Sequence, residues 1–257
     1  MGVSYTKTLR QEYIDLYKSI EIKTTKLAII ENHVDQILAN KQKYESVTEE
    51  LSIPWFFVGL IHTLESNRDF NTHLHNGDPL TKRTRQVPKG RPKSGSPPFT
   101  WEESALDALK YKKFHRETDW SLTKILYNLE KYNGWGYRLH HPHVKSPYLW
   151  SYSNHYRSGK YIADGTFSED AVSRQSGAAV IMRRMEQRAV IDPFKIITPS
   201  FFSFSNSEEV RVKDLQRFLN SFDGIALLVD GIPGKNTSAA CKKIFGHYLE
   251  GDERINA

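Results

Sequence analysis

Between residues 53 and 64 the chain sets Ile53, Phe56, Phe57, Leu60, Ile61 and Leu64 at steps of three and four. That spacing predicts an α-helix, and its aromatic bulk predicts a helix central to a core. Ser52 and Pro54 mark its start, because the first helical turn has no use for the N–H that proline lacks. No run in the chain approaches the ~18 apolar residues of a membrane span, so a buried helix of a globular fold is expected rather than a membrane segment. With 257 residues, 39% hydrophobic and 26% charged, the chain can build one large domain, or a medium one with a small one attached.

The neighbouring segments read mostly as helix. Residues 4–45 are expected as packing helices, with Leu27, Ile30, Val34, Ile37 and Leu38 on one face. A second run starts at Trp101 with Ala105, Leu106, Leu109 and Phe114. A third carries Leu122, Ile125, Leu126 and Leu129 and stops at Asn133-Gly134. Residues 168–188 return to helix. Between the helices, 67–100 is polar and rich in Gly and Pro, and Asn76-Gly77 followed by Asp78-Pro79 predicts a short β-hairpin or small sheet, then a loop. Residues 135–167 are dense in Tyr, Trp, Gly and His, a composition suited to a cleft wall. The expected class is mainly α, of α+β type: a helical domain over 1–190, a linker over 191–209 and a small closing domain over 210–257.

The formal net charge of +6 favours polyanionic partners. Lys82, Arg83, Arg85, Lys89, Arg91 and Lys93 crowd one acid-free stretch, read either as a solvated loop or as a grip on an anionic substrate. No RNA-recognition, zinc-finger or leucine-zipper signature accompanies it, so nucleic acid is not the expected partner. Cys241 is the only cysteine, which excludes an internal disulfide and a cysteine-based zinc site. His73 and His75 share a strand face and His140, His141 and His143 cluster, but His-Glu-X-X-His is absent. These histidines are expected to hydrogen-bond within a cleft, with no metal and no cofactor. Met1-Gly2 with Thr6 superficially fits N-myristoylation, but no second membrane signal accompanies it. The start lacks the apolar run of a secretory signal, so synthesis in the cytoplasm and action at a wall after release or non-classical export are expected.

Glu65 is the leading chemical candidate. A carboxyl at the end of a strongly apolar helix is penalised in its charged form, which raises its pKa toward that of a general acid. Asp78, on the expected hairpin, is the candidate second carboxylate, or else a turn residue. Thr81 and Thr84 are placed to position a water from the same sheet.

The run around these residues, HTLESNRDFNTHLHNGDPL, VPKGRP, WEESALDAL, YNGWGYR, SPYLWSYSNHY and GKYIADG, resembles the lysozyme-like superfamily over about residues 50–185. More narrowly it resembles a "lysozyme family" group of bacteria and phage. The resemblance implies a lysozyme-like helical domain with a small sheet as one cleft wall, and matches Glu65 to the superfamily's general acid. Glu65-Ser66 and Tyr132-Asn133 are similar to elements of lytic transglycosylases, although the Gly-Leu-Met-Gln element of those enzymes is absent. The expected catalytic set is Glu65, Asp78 and Thr84. The expected substrate contacts are His75, Asn76, Thr81, Arg83, Tyr132, Asn133, Tyr137, Arg138, Asn154 and Tyr156. Residues 212–240, with LQRFLN and VDGIPGKNT, resemble the three-helix peptidoglycan-binding domain of wall hydrolases, which implies wall contacts through Gln216, Asp230 and Thr237. Together these imply a monomeric hydrolase that cuts the β-1,4 bond between N-acetylmuramic acid and N-acetylglucosamine of bacterial peptidoglycan. A lytic transglycosylase, a chitosanase or chitinase, and a non-catalytic wall-binding protein are the alternatives.

Overall fold

The computed structural model describes residues 2–117, 119–163, 165–193 and 202–256. The chain forms two compact units, Met1–Ile197 and Thr198–Ala257. Their join lies within the 191–209 segment, of which residues 194–201 fall outside the described residues. Among the described residues the fold is mainly helical with one small antiparallel sheet.

In the first unit, α1 (Lys7–Lys18) is capped by the Thr6 hydroxyl, which accepts from the N–H of Leu9. The expected packing helices over 4–45 continue as α2 (Leu27–Ala39) and α3 (Lys41–Thr48). The central helix is α4 (Trp55–Ser66), buried without interruption from Phe56 to Leu64. It meets α2 and α3 closely because residue 59 is glycine. A Cβ there would lie 2.8 Å from Ile37 Cγ2 and 3.3 Å from Tyr44 Cε2. The helix ends where Asn67 (φ 50°) and Arg68 (φ 65°) turn left-handed, with the Arg68 N–H returning to the carbonyl of His62 at 3.0 Å.

Next comes α5 (Trp101–Tyr111), opened by a reciprocal Thr100–Glu103 capping box. It is followed by α6 (Leu122–Asn133), α7 (Gly136–His140) and α8 (Pro147–Trp150). Tyr13 of α1 donates to Glu130 of α6 at 2.6 Å, and Arg138 pairs with both Glu130 and Glu12, which locks α1 onto the core. The last helix of this unit is α9 (Ala178–Gln187). It begins ten residues later than expected from the sequence. Residues 168–177 run irregularly, and Gly177 passes so close to the backbone of Leu149 that a Cβ would sit 2.3 Å from its carbonyl oxygen.

The sheet is not where the turn signals placed it. Strands β1 (Lys160–Ala163) and β2 (Thr166–Ser168) pair antiparallel in the aromatic segment, whereas 67–100 contains one isolated bridge, between Thr72 and Pro79. The Asn76-Gly77 turn does form, with Gly77 at φ 78° and its N–H on the carbonyl of His73 at 2.9 Å. No ladder grows from it, because side chains take the backbone donors: Asp78 accepts the N–H of Arg85 and of Gln86, and Thr84 accepts that of Arg91. Prolines at 79, 88 and 92 offer no donor at all.

The second unit contains α10 (Val210–Leu219), α11 (Lys235–Phe245) and a closing 3₁₀ turn, Glu253–Asn256. Three helices were expected; among the described residues there are two α-helices and this short 3₁₀ helix. Leu219, Ala240, Cys241 and Leu249 form its core, with Phe202, Phe204 and Leu215 beside them. Phe218, next to Leu219 on α10, is half exposed.

Among the described residues no helix is long and apolar enough to cross a membrane.

Candidate active site

Glu65 sits on the last turn of α4, with the buried face of that helix behind it. The phenol of Tyr148, on α8, donates to its Oε1 at 3.0 Å. Burial pushes the Glu65 carboxyl up to about 7, against the Tyr148 hydrogen bond and the Lys112 ammonium, which both favour its charged form. Tyr148 is itself held far above the usual phenol range, by burial and then by the Glu65 charge, so it stays a neutral donor. Lys112, just past α5, donates to the carbonyl of Tyr132 at 3.3 Å and lies 4.4 Å over that residue's ring. The Tyr132 hydroxyl is spent on the carbonyl of Leu74 at 2.8 Å.

Glu65 opens onto a cleft of about 680 Å³, lined also by His33, Tyr152, Lys160, Arg174 and Gln175. No other acid lines it among the described residues. The cleft's far wall, 173–176, is tied to α4 because the Gln175 amide donates to the carbonyl of Leu64. On α2, His33 accepts from Arg68 Nη1 at 2.6 Å through Nδ1. Burial and then the Arg68 charge drive His33 down to about 4. The neutral ring therefore carries its proton on Nε2 and donates it to the Ser176 hydroxyl at 3.0 Å.

Of the residues expected from the sequence, Glu65 alone lines this cleft. Asp78 lies on the neighbouring loop, where a Cβ on Gly77 would come 3.2 Å from the Glu65 carbonyl oxygen. Its Oδ2 accepts from Asn76 Nδ2 (3.0 Å), Arg85 N (2.7 Å) and Gln86 N (3.0 Å). Burial acts to raise its pKa, but these donors prevail and hold it below the ordinary carboxylate value. Thr84 is buried, donating to the carbonyl of Pro88 and accepting from Arg91 N at 2.9 Å. Thr81 is exposed.

Several expected substrate contacts are engaged within the protein. His75 Nε2 lies 2.8 Å from Asp107 Oδ2. Burial, against the pull of Asp107, takes that ring down to about 4. Arg83 donates to the carbonyl of Gly95 at 2.6 Å. The Tyr137 hydroxyl accepts from Tyr161 N at 3.3 Å, and Arg138 serves the Glu130 and Glu12 pairs. Asn154 bridges to Ser19 and Glu21, and Tyr156 to Gly159 and Ser173. Asn133 is exposed at the end of α6. In the second unit, Gln216 is buried and donates to Asp230, Ile232 and Thr237, while its carbonyl accepts from Gly231 N at 2.8 Å. That network shapes the VDGIPG turn.

Sequence reasoning missed Tyr148, Lys112, Gln175 and His33. Tyr148 lies in the aromatic segment expected to wall a cleft. The other three carry no local signal: a lysine after a helix, a glutamine between an arginine and a serine, and a histidine on a packing helix look like many surface residues. Compared with family models, curated proteins and solved structures, the chain matches none.

Proposed function

We propose that the first unit is a glycoside hydrolase of peptidoglycan, with Glu65 as general acid for cleavage of the bond between N-acetylmuramic acid and N-acetylglucosamine. The observation that carries the reading is a carboxyl held near pH 7, at the mouth of a cleft large enough for sugar rings. Protonated Glu65 gives its proton to the bridging oxygen as the C1–O bond breaks. Tyr148 and Lys112 then stabilise the carboxylate left behind. Water adds to C1 and loses its proton to the Glu65 carboxylate, which restores the acid. The resemblance of residues 50–185 to lysozyme-like enzymes supports the same assignment, and the second unit is read as the wall-targeting module. The protein would act on the wall after leaving the cytoplasm.

One observation favours a second reading. Glu65 is the only acid lining the cleft among the described residues, and a single carboxyl suffices for a lytic transglycosylase. There Glu65, having donated its proton, takes another from the 6-hydroxyl of the muramyl sugar. That oxygen closes on C1 and gives a 1,6-anhydro product one water lighter. Mass spectrometry of muropeptides released from purified peptidoglycan separates the two, and Glu65→Gln should abolish either product. Full product release by that variant would end both readings.

A further inference from the structure

The acid-free stretch 82–93 holds six cations, and the glycosidase reading uses none of them. Two are occupied. Arg91 grips Asp107 through Nε and Nη2 at 2.8 and 2.7 Å and lies 4.8 Å over the Tyr111 ring. Arg83 donates to Gly95 and covers Phe99. Lys82, Arg85, Lys89 and Lys93 are exposed, and none of these side chains makes an ion pair or hydrogen bond among the described residues.

Like charges so close repel, and such a segment is ordinarily extended. Here the backbone is closed on itself. Thr84 N donates to Arg91 O and Gly90 N to Thr84 O, both at 2.8 Å. The Thr84 hydroxyl bridges Pro88 and Arg91, and Asp78 holds the N–H groups of Arg85 and Gln86. The Arg91–Asp107 pair and the His75–Asp107 contact fasten the loop to α5. The repulsion is overcome by folding, so a ligand meets charges already gathered and has no loop to order.

We infer that this loop is a preformed docking surface for a flexible polyanion carrying one phosphate charge per repeat. Three of the four free cations are lysines, compact point charges that suit successive phosphates without a fixed planar geometry. The loop itself has no aromatic residue, and the half-exposed Tyr111 ring beside it already carries Arg91, so it lacks the row of stacking platforms that single-stranded nucleic acid uses. Its one large exposed apolar side chain is Val87, 88% exposed, too little to anchor in a bilayer. The inference stands apart from the glycosidase reading, because none of these residues lines the Glu65 cleft.

The test uses the full chain carrying Glu65→Gln, with fluorescent inorganic polyphosphate as the probe and no glycan present. Four neutralised phosphates predict a roughly 50-fold loss of affinity between 50 and 200 mM salt, taking the single-strand nucleic-acid slope as a guide. Converting Lys82, Arg85, Lys89 and Lys93 to Gln should weaken binding more than about 10-fold and flatten that slope. The same charge change at Lys7, Lys41, Lys131 and Lys235 should cost less than about 3-fold, since only the long-range field alters. Equal losses from both sets would overturn the inference, leaving only general attraction to a basic protein. Loop-dependent binding to phosphatidylglycerol vesicles without binding to polyphosphate would also overturn it, in favour of a lipid surface. A melt of the loop variant matching its parent's shows that folding is intact. A negative result leaves the Glu65 assignment untouched, as does the converse.

Discussion

Replacing Glu65 by Gln should inactivate the protein and stabilise it, but only at neutral to alkaline pH. Folding raises this carboxyl from an ordinary 4.5 to about 7, chiefly by burial. A group whose folded pKa is raised holds more protons folded than unfolded between those two values. Stability therefore falls as pH rises through that window and levels off above it. At 1.36 kcal/mol per unit, a shift of about 2.5 units makes the charged Glu65 cost about 3 kcal/mol above pH 7. Gln keeps the shape and an acceptor for Tyr148 but carries no charge, so it escapes that cost. The variant should melt roughly 6–12 °C higher than the parent at pH 8, for a unit of this size, and nearly level with it at pH 4. Turnover of purified peptidoglycan should fall by ~100 to 10,000-fold. Near-UV circular dichroism melts across pH 4–8, beside a turbidity assay, check both halves. A stability difference that does not change with pH, or a variant less stable at pH 8, would refute the burial argument whatever the activity does.

Tyr148→Phe and Lys112→Met each remove a group that favours the ionised form of Glu65. Each should move the alkaline limb of the pH–rate profile upward, by about one unit for Tyr148→Phe; a downward shift in either would contradict the geometry. Asp78→Asn weakens three hydrogen bonds, two of them from the 82–93 loop, so it should cost about 1–2 kcal/mol in a melt while most turnover survives. Turnover lost by orders of magnitude would instead make Asp78 the second catalytic carboxylate. Gly59→Ala drives a methyl into Ile37 and Tyr44 and should destabilise the first unit by about 1–3 kcal/mol despite the better helix propensity, as read by urea titration. Removing residues 198–257 should weaken sedimentation with insoluble wall and raise the enzyme needed on whole wall more than on short soluble fragments; unchanged sedimentation would remove the targeting role.

The chain's legibility follows how local each signal is. The central helix was readable because Ile53 to Leu64 repeat at helical spacing with no competing pattern. Its catalytic candidate was readable because Glu65 directly follows that apolar run, and the burial of α4 does the rest. The Asn133-Gly134 stop likewise acts within one turn of the chain. The sheet was misplaced because a turn dipeptide specifies a reversal, whereas a ladder also needs free backbone donors, and Asp78 and Thr84 had claimed those. The same two residues show how a side chain expected in a catalytic set can be engaged in holding a loop. A short polar side chain beside a glycine-rich turn can hold a loop or touch a substrate, and only the positions of distant donors decide between them. Arg85, Gln86 and Arg91 come to these oxygens from seven or eight residues away, through a path no periodicity encodes. The partners of Glu65 lie farther still: Tyr148 comes from a different helix 83 residues on. Packing of α8 against α6 and α9, which both meet α4, creates that contact, so the acid could be named from the sequence while the groups that set its proton affinity emerged only with the fold.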